Sequence, residues 1–162
     1  MHKLNSEYLR ILLLSLGVIY ASLGNAVAPV DCKKSINIRA SQASPLNFGD
    51  LLVSGAGTAV IGTDSSRYTN GLVIPANGLV SAAELVVTGC KEQPYAISVQ
   101  PSTTLYSATG SMIVDGFITN PILGLLDLKG KQSLFIGGTL HISAAQVAGT
   151  YSGSFLVEVI YQ

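Results

Sequence analysis

The chain has 162 residues, of which 48% are hydrophobic and 11% charged, and nine basic residues balance nine acidic ones. The length fits a single domain, and the low, balanced charge excludes the basic footprint of a nucleic-acid-binding protein. An intrinsically disordered chain is excluded as well, because the sequence is too apolar to remain unfolded in water. Composition therefore indicates one compact domain, with 17 glycines available for turns and bulges.

The first 26 residues are predicted to be a secretory signal peptide. Two basic residues and one acid lie ahead of an apolar run of 11 residues at 11–21, and small residues follow it. This order is typical of export signals, whereas a membrane span needs about 20 apolar residues. Cleavage after Ala26 fits best; cleavage after Ala28 would leave Pro29 behind the cut, and an uncleaved anchor helix is the remaining alternative. We expect an exported protein of the periplasm, the cell surface or the medium, with residues 27–162 as its single domain.

Both cysteines, Cys32 and Cys90, lie beyond the predicted cleavage site. An even count in an exported protein indicates a disulfide. The alternatives are a metal pair, which needs more ligands, and a catalytic thiol, which needs a base. The single histidine after the leader, His141, lies in an alternating strand pattern that predicts a solvent-facing side chain. The residues before Cys32 do not match a lipoprotein box, so we expect no lipid anchor.

The remaining sequence predicts short strands separated by Gly, Pro, Asn and Ser. Asn70-Gly71 predicts a hairpin turn, since both residues tolerate a positive φ, and Gly137-Gly138 predicts a bulge or a close backbone approach. At most one helical turn is expected, at 144–147. This pattern predicts an all-β, Ig-like antiparallel β-sandwich. The predicted strands cover residues 35–40, 46–53, 57–62, 67–68, 72–74, 83–88, 94–101, 111–118, 133–142 and 151–162.

Catalytic and cofactor chemistry have no candidate in the sequence. The acids after the leader are scattered, so paired-carboxylate chemistry lacks support, and no GxSxG motif accompanies a serine. Neither a phosphate loop nor a calcium loop occurs. We therefore expect no enzyme activity, no cofactor and no metal site. Four aromatic residues could form a platform for a sugar, namely Tyr68, Tyr95, Tyr106 and Phe117. Aromatic residues in strands more often belong to the core.

The C-terminal segment carries the most informative pattern, because its larger apolar residues recur with a period of two and would share one face of a strand. The plain interpretation is the last strand of a sandwich. The segment also resembles the C-terminal strand of pilin subunits assembled by the chaperone–usher route. Such strands have a penultimate Tyr, here Tyr161, and a Gly fourteen residues from the end, here Gly149. The residues on the shared face are Tyr151, Gly153, Phe155, Val157, Val159 and Tyr161.

A larger part of the chain, roughly residues 35–162, resembles a domain of unknown function, the family DUF4402, which is related to spore coat protein U and the archaic pilins. Four motifs carry this resemblance, and their physical content is structural, with Gly for turns and Phe48 and Leu140 for the core. The motifs are Leu46-Asn47-Phe48-Gly49, Gly57-Thr58-Ala59-Val60, Gly138-Thr139-Leu140 and Ala148-Gly149-Thr150-Tyr151-Ser152-Gly153.

The pilin relation implies assembly by β-strand complementation, in which an open sheet edge is filled by a strand from a periplasmic chaperone and then from a neighbouring subunit, at an usher. A donor strand would have to precede the domain, yet only residues 27–31 lie between the predicted cut and Cys32. Ile36 and Ile38 alternate well, but the resemblance implies that they belong to the domain's own first strand. Whether the sandwich is self-complete stays open. The residues implied to flank the groove are Gly149, Tyr151, Phe155, Val157, Val159 and Tyr161.

These observations lead to an expected function and one alternative. We expect an exported, non-catalytic structural protein, a surface-fibre subunit of the pilus type, whose partners are a chaperone, an usher and other subunits. The alternative is a monomeric secreted binding or adhesin module for carbohydrate or a host surface. An incomplete sheet edge would favour the first function, and exposed tyrosines in a concave region would favour the second.

Overall fold

The computed structural model describes residues 8–14, by their backbone only, and residues 38–162. Within these ranges the chain is all-β, and no helix in them has the length and hydropathy to cross a membrane. The strands are β1 (Tyr8–Leu14), β2 (Arg39–Ser44), β3 (Gly49–Ile61), β4 (Arg67–Pro75), β5 (Ala83–Thr88), β6 (Pro94–Val99), β7 (Ser102–Tyr106), β8 (Ser111–Asn120), β9 (Gly124–Leu125), β10 (Lys131–Ile142), β11 (Thr150–Gly153) and β12 (Val157–Tyr161).

The strands form one large and one small sheet. The large sheet has the order β2-β5-β10-β8-β7-β11-β1-β3-β4, and the small one has the order β12-β6-β9. Strand β3 pairs with β10 as well as with β1 and β4. The six strands β10, β8, β7, β11, β1 and β3 therefore close a ring. All described pairings are antiparallel except that of β1 with β11.

The sandwich encloses a continuous apolar core to which both sheets contribute. Its largest fully buried side chains include Tyr95, Tyr151, Phe48 and Phe155. The core positions expected at Phe48 and Leu140 are confirmed, with exposed fractions of 1% and 0%. The predicted all-β, antiparallel, sandwich-like fold is confirmed, and it follows from alternating strands that each bury one face.

Several strand predictions are confirmed. The predicted 83–88 is β5, and β6 lies between Pro94 and Pro101, since proline cannot donate to a ladder. The register of β10 with β8 shifts between Gly137 and Thr139, which is the bulge that the glycine pair predicts. The predicted strands 46–53 and 57–62 merge into the single long strand β3. The first predicted strand begins later, at Arg39, and residues 35–37 lie outside the described residues.

The predicted hairpin turn at Asn70-Gly71 is wrong. Both residues lie inside β4, where Gly71 has φ +75° and pairs with Gly57. The register of β3 with β4 shifts between Val53 and Gly57, so the positive φ accommodates a bulge instead of reversing the chain. The β3–β4 hairpin is closed by a turn at 62–66, which has its own backbone hydrogen bonds.

The predicted continuous last strand, 151–162, is interrupted. Its first part, β11, belongs to the large sheet, and its second part, β12, pairs with β6 in the small sheet. Gln100 holds the crossing between them: its side-chain Oε1 accepts from the Leu156 N–H at 3.0 Å, and its backbone N–H donates to the Leu156 C=O at 3.1 Å. The alternation of buried residues with a period of two therefore continues from β11 to β12, although the two strands belong to different sheets.

Candidate functional site

The most distinctive feature of the large sheet is the way in which β1 fills an interior position between β3 and β11. Strand β1 is antiparallel to β3, with Leu9 opposite Leu51 and Arg10 opposite Asp50. It is parallel to β11, with Arg10 beside Thr150 and Ile11 beside Tyr151. We call this position, bounded by Gly49–Leu52 of β3 and by β11, the acceptor position.

The two flanks of the acceptor position agree on which face is buried. Leu51 and Tyr151 are both 0% exposed, whereas Asp50 is half-buried and Thr150 is exposed. Residues opposite each other in neighbouring strands share a face of the sheet. In the backbone register, position 9 lies opposite the buried Leu51, position 11 lies beside the buried Tyr151, and position 10 lies between Asp50 and Thr150.

The backbone of β3 is available to β1 at Leu51. Asp50 directs its own groups to the other side: its N–H donates to the Asn77 C=O at 2.9 Å and its C=O accepts from the Ala76 N–H at 3.0 Å. Consecutive residues of a strand point their backbone groups to opposite edges. The Leu51 N–H and C=O therefore face the acceptor position, where a buried backbone needs a partner.

Side chains on either side fix both flanks of the acceptor position. The Tyr151 hydroxyl donates to the Val147 C=O and accepts from Gln146 Nε2, both at 2.7 Å. On the β3 side, the Arg67 guanidinium donates to the backbone carbonyls of Phe48, Asp50 and Ala76, at 2.7 to 3.0 Å. Burial lowers the pKa of Arg67, whereas the nearby Asp50 carboxylate acts in the opposite direction. Hydrogen bonds of the domain's own side chains therefore hold both flanks of the acceptor position.

The structure distributes the predicted assembly residues over two places. Gly149 and Tyr151 lie at the start of β11, beside the acceptor position. The other four lie further on, where Tyr161 accepts a hydrogen bond from the Cys90 N–H at 2.6 Å. Their role in assembly stays a prediction, and their side chains contribute to the domain's own core. The apolar residues that are at most 2% exposed here are Phe155, Val157 and Val159.

The predicted disulfide involves a residue that the structure leaves undescribed. Cys90 is 5% exposed, and no free cysteine occurs among the described residues. Cys32 lies outside the described residues, so its pairing with Cys90 stays a prediction. Residues 1–7 and 15–37, which hold most of the predicted signal peptide and both candidate cleavage sites, also lie outside them.

The titratable side chains of His141, Asp64 and Asp127 are exposed and make hydrogen bonds at the surface. His141 projects from β10 to solvent, as predicted, and its Nε2 lies 2.7 Å from Asp115 Oδ1. Hydrogen bonds from Ser66 lower the pKa of Asp64, and those from the Lys131 and Lys129 amides lower the pKa of Asp127. No group of three or more His, Cys, Asp and Glu side chains that could hold a metal occurs within 38–162.

The aromatic residues considered for a sugar platform are dispersed. Tyr95 is fully buried, and Phe117 stacks on Phe155 with ring centroids 4.8 Å apart. Tyr68 and Tyr106 are exposed, on β4 and β7 respectively. One concave feature of the described residues is a hollow of about 360 Å³ between β6 and β8, lined by Ile97, Val99, Gln100, Pro101, Gly116, Phe117 and Thr119.

The acceptor position was not predicted from the sequence. Residues 8–14 fit the pattern of an export signal, but they also have the length and apolar character of a strand. The signal that could have found it is the alternation Leu9-Arg10-Ile11 ahead of the longer apolar run. The pairing with β3 and β11, which lie about 40 and 140 residues away, has no local signature.

Comparison with known proteins identifies a family for most of the chain. The model of the family described as Domain of unknown function (DUF4402) matches residues 37–161. No curated protein and no solved structure matches the chain. The match begins just before β2 and ends at the last residue of β12. The chain therefore belongs to the DUF4402 family.

Proposed function

We propose that this protein is an exported, non-catalytic structural subunit that assembles through β-strand complementation at the acceptor position. The observation that carries the proposal is that β1, an interior strand of the large sheet, lies wholly within the predicted signal peptide. Removal of residues 1–26 would take this strand away and leave β3 and β11 without their common neighbour. The position would then be open to a strand from another polypeptide.

The energetics of the exposed position support this proposal. Without β1, the fully buried Leu51 and Tyr151 would lose cover, and burial of a side chain the size of Leu contributes about 1.5–3 kcal/mol. The Leu51 backbone groups would also lose their partners, and an unpaired strand edge is a template for another chain. A mature domain of this kind gains stability when a donor strand binds, as in β-augmentation generally.

The proposal is tested with the exported chain, residues 27–162, and the full chain produced without export so that residues 1–26 remain. Solution mass and thermal unfolding are measured before and after addition of a peptide that copies Tyr8–Leu14. We expect the shorter chain to unfold at a lower temperature, and the peptide to raise that temperature with concentration, as a ligand of the folded state does.

A peptide copying Arg39–Ser44 is the matched control, because that segment already forms the edge strand β2. We expect it to leave the unfolding temperature unchanged. A shorter chain that is a monomer as stable as the full chain, and indifferent to both peptides, would contradict the proposal.

A binding module is the second candidate function, and the hollow between β6 and β8 favours it. The volume of about 360 Å³ lies in the range of small-ligand sites, and the lining combines Ile97, Val99 and Phe117 with the polar Gln100 and Thr119. Titration of the labelled protein with a panel of oligosaccharides, followed by amide chemical shifts, tests this function. Shifts confined to β6 and β8 would support it, and a panel without effect would count against it.

A further inference from the structure

We propose that Asn70 is a site of spontaneous covalent modification, in which its side-chain amide becomes a carboxylate through a cyclic imide formed with the Gly71 backbone. Asn70 and Gly71 lie in β4, the outer edge strand of the large sheet, and both are exposed. Glycine offers the least hindered backbone nitrogen for this ring closure, because it carries no side chain. The reaction is independent of strand acceptance and adds a modification site to the family domain.

The side chain of Asn70 is held against the backbone nitrogen that would attack it. The Gly71 N–H donates to Asn70 Oδ1 at 2.7 Å. Because the two residues are adjacent in the chain, this hydrogen bond reaches the oxygen from the side, and the Gly71 nitrogen lies about 3–3.5 Å from Asn70 Cγ. Such a separation is typical of a near-attack conformer, in which the reacting atoms need only a small further movement.

The Gly71 N–H is not used by the sheet. At the end of the β3–β4 hairpin the Gly62 N–H donates to the Ser66 C=O at 2.9 Å. Hydrogen-bonded and non-hydrogen-bonded pairs alternate along an antiparallel ladder. Counted from that pair along the register of β3 with β4, Asn70 is bonded to its partner and Gly71 is not. The Gly71 N–H therefore faces the open edge of the sheet, where water and hydroxide have access to it.

The reaction has two steps and needs only water. The Gly71 nitrogen gives its proton to hydroxide and bonds to Asn70 Cγ, while the Cγ–Nδ2 bond breaks and Nδ2 takes a proton from water and leaves as ammonia. Water then opens one of the two C–N bonds of the imide. Opening at Cγ gives aspartate, and opening at the main-chain carbonyl gives isoaspartate. The net change replaces the amide NH₂ by a hydroxyl group, which ionises at neutral pH.

The products alter an edge strand whose inner face is packed. Aspartate adds a negative charge on the exposed side of β4, whereas isoaspartate also inserts an extra carbon into the main chain. The residues that follow could then not all keep their register with β3, since a shift along a strand moves side chains away from their positions in the core. Val73, which pairs with Val53 and is 4% exposed, is the first buried residue after the site. We therefore expect modification to lower the unfolding temperature.

The chain contains a second Asn-Gly pair that serves as an internal comparison. Asn77 and Gly78 are also exposed, and Gly78 has φ +110°. The Asn77 C=O accepts from the Asp50 N–H at 2.9 Å, but none of the described hydrogen bonds joins the Asn77 side chain to the Gly78 N–H. The two sites thus share their dipeptide and their exposure, and only Asn70 is held against the attacking nitrogen.

The test follows both sites in the full chain produced without export. The folded protein is incubated at mildly alkaline pH, samples are digested, and the peptides are separated and weighed. We expect Asn70 to be converted about tenfold or more faster than Asn77, because only Asn70 has the near-attack geometry. In urea the two sites should react at similar rates, since the fold no longer distinguishes them. Conversion of Asn70 in the folded chain no faster than that of Asn77 would overturn the proposal.

Asn70→Gln and Asn77→Gln are matched variants, because each keeps an exposed amide on a longer side chain that closes a larger ring more slowly. Ammonia release from the folded chain should fall strongly in Asn70→Gln and little in Asn77→Gln, and the reverse order would overturn the proposal. After long incubation the unfolding temperature should be lower in the unsubstituted chain and unchanged in Asn70→Gln. An equal decrease in both would show that modification of Asn70 does not weaken β4.

Discussion

Two tyrosine hydroxyls connect the end of the chain to the rest of the domain. Tyr151 joins β11 to the preceding loop through Val147 and Gln146. The Tyr161 hydroxyl accepts a hydrogen bond from the Cys90 N–H. It also lies close to Gly89, where an added Cβ would be 2.2 Å from the hydroxyl oxygen and would clash with it. At the scale of single residues, the pattern that resembles a pilin C-terminus therefore also has a structural explanation within the domain.

The Tyr151 hydroxyl is expected to contribute measurably to stability. Tyr151→Phe keeps the buried ring but leaves the Val147 carbonyl without its donor, so the free energy of unfolding should fall by about 1–2 kcal/mol. Denaturant unfolding of the full chain measures this. Tyr106→Phe is the control, because Tyr106 is 64% exposed and its replacement should have little effect. A Tyr151→Phe protein as stable as the control variant would contradict this role.

Tyr95 makes stability depend on pH in the alkaline range. Burial raises its pKa to about 12, from an ordinary value of 10.0, and its hydroxyl donates to Gln132 Oε1 at 2.8 Å. Because the unfolded chain loses this proton first, stability should be complete below pH 10 and should fall as the pH rises from 10 to about 12.

Urea unfolding at a series of pH values measures this dependence. Tyr95→Phe should reduce the loss of stability at alkaline pH, whereas Tyr106→Phe should leave that loss unchanged. An equal pH dependence in both variants would show that another group is responsible.

At the scale of secondary structure, the β3–β4 hairpin and the loop after it are held together by Arg67. Its guanidinium reaches three carbonyls, two on the β3 side and one at Ala76. The same loop bonds to the backbone of Asp50. The β3 flank of the acceptor position is thus held by hydrogen bonds that do not involve β1.

Replacement of Arg67 should therefore destabilise that flank. Arg67→Met keeps much of the aliphatic stem and removes the donors, and we expect the free energy of unfolding to fall by about 2–3 kcal/mol, since partly buried carbonyls lose charged partners. Arg39→Met is the control, because Arg39 lies exposed on the edge strand β2. Equal unfolding midpoints for the two variants in urea would refute this role.

Some elements could be predicted from the sequence because their signals are local. The limits of β6 follow from two prolines, and the bulge in β10 follows from a glycine pair. The Asn70-Gly71 pair gave a wrong prediction of a hairpin turn, because a positive φ such as that of Gly71 occurs in a bulge as well as in a turn. The change of sheet at 154–156 could not be predicted, since it depends on Gln100, more than 50 residues away. The acceptor position depends on three strands from distant parts of the chain and was likewise beyond local patterns.

In the whole molecule, the large sheet closes into a ring because β3 pairs with β10 and because β1 lies between β3 and β11. Of these strands, only β1 belongs to the predicted leader. The domain that matches the DUF4402 model, residues 37–161, contains every strand of the ring except β1. The proposed function follows from this division between a family domain and a strand that lies outside it.

Amide hydrogen exchange at Leu51 tests whether β1 completes the large sheet, and it is measured in the full chain produced without export and in residues 27–162. We expect slow exchange in the full chain and fast exchange in the shorter chain, because the Leu51 N–H faces the acceptor position. The amides of Leu85 and Leu134, in the paired strands β5 and β10, should stay slow in both chains and show that the domain remains folded. Equal protection of Leu51 in both chains would mean that the sheet closes without β1, and the proposed function would then be wrong.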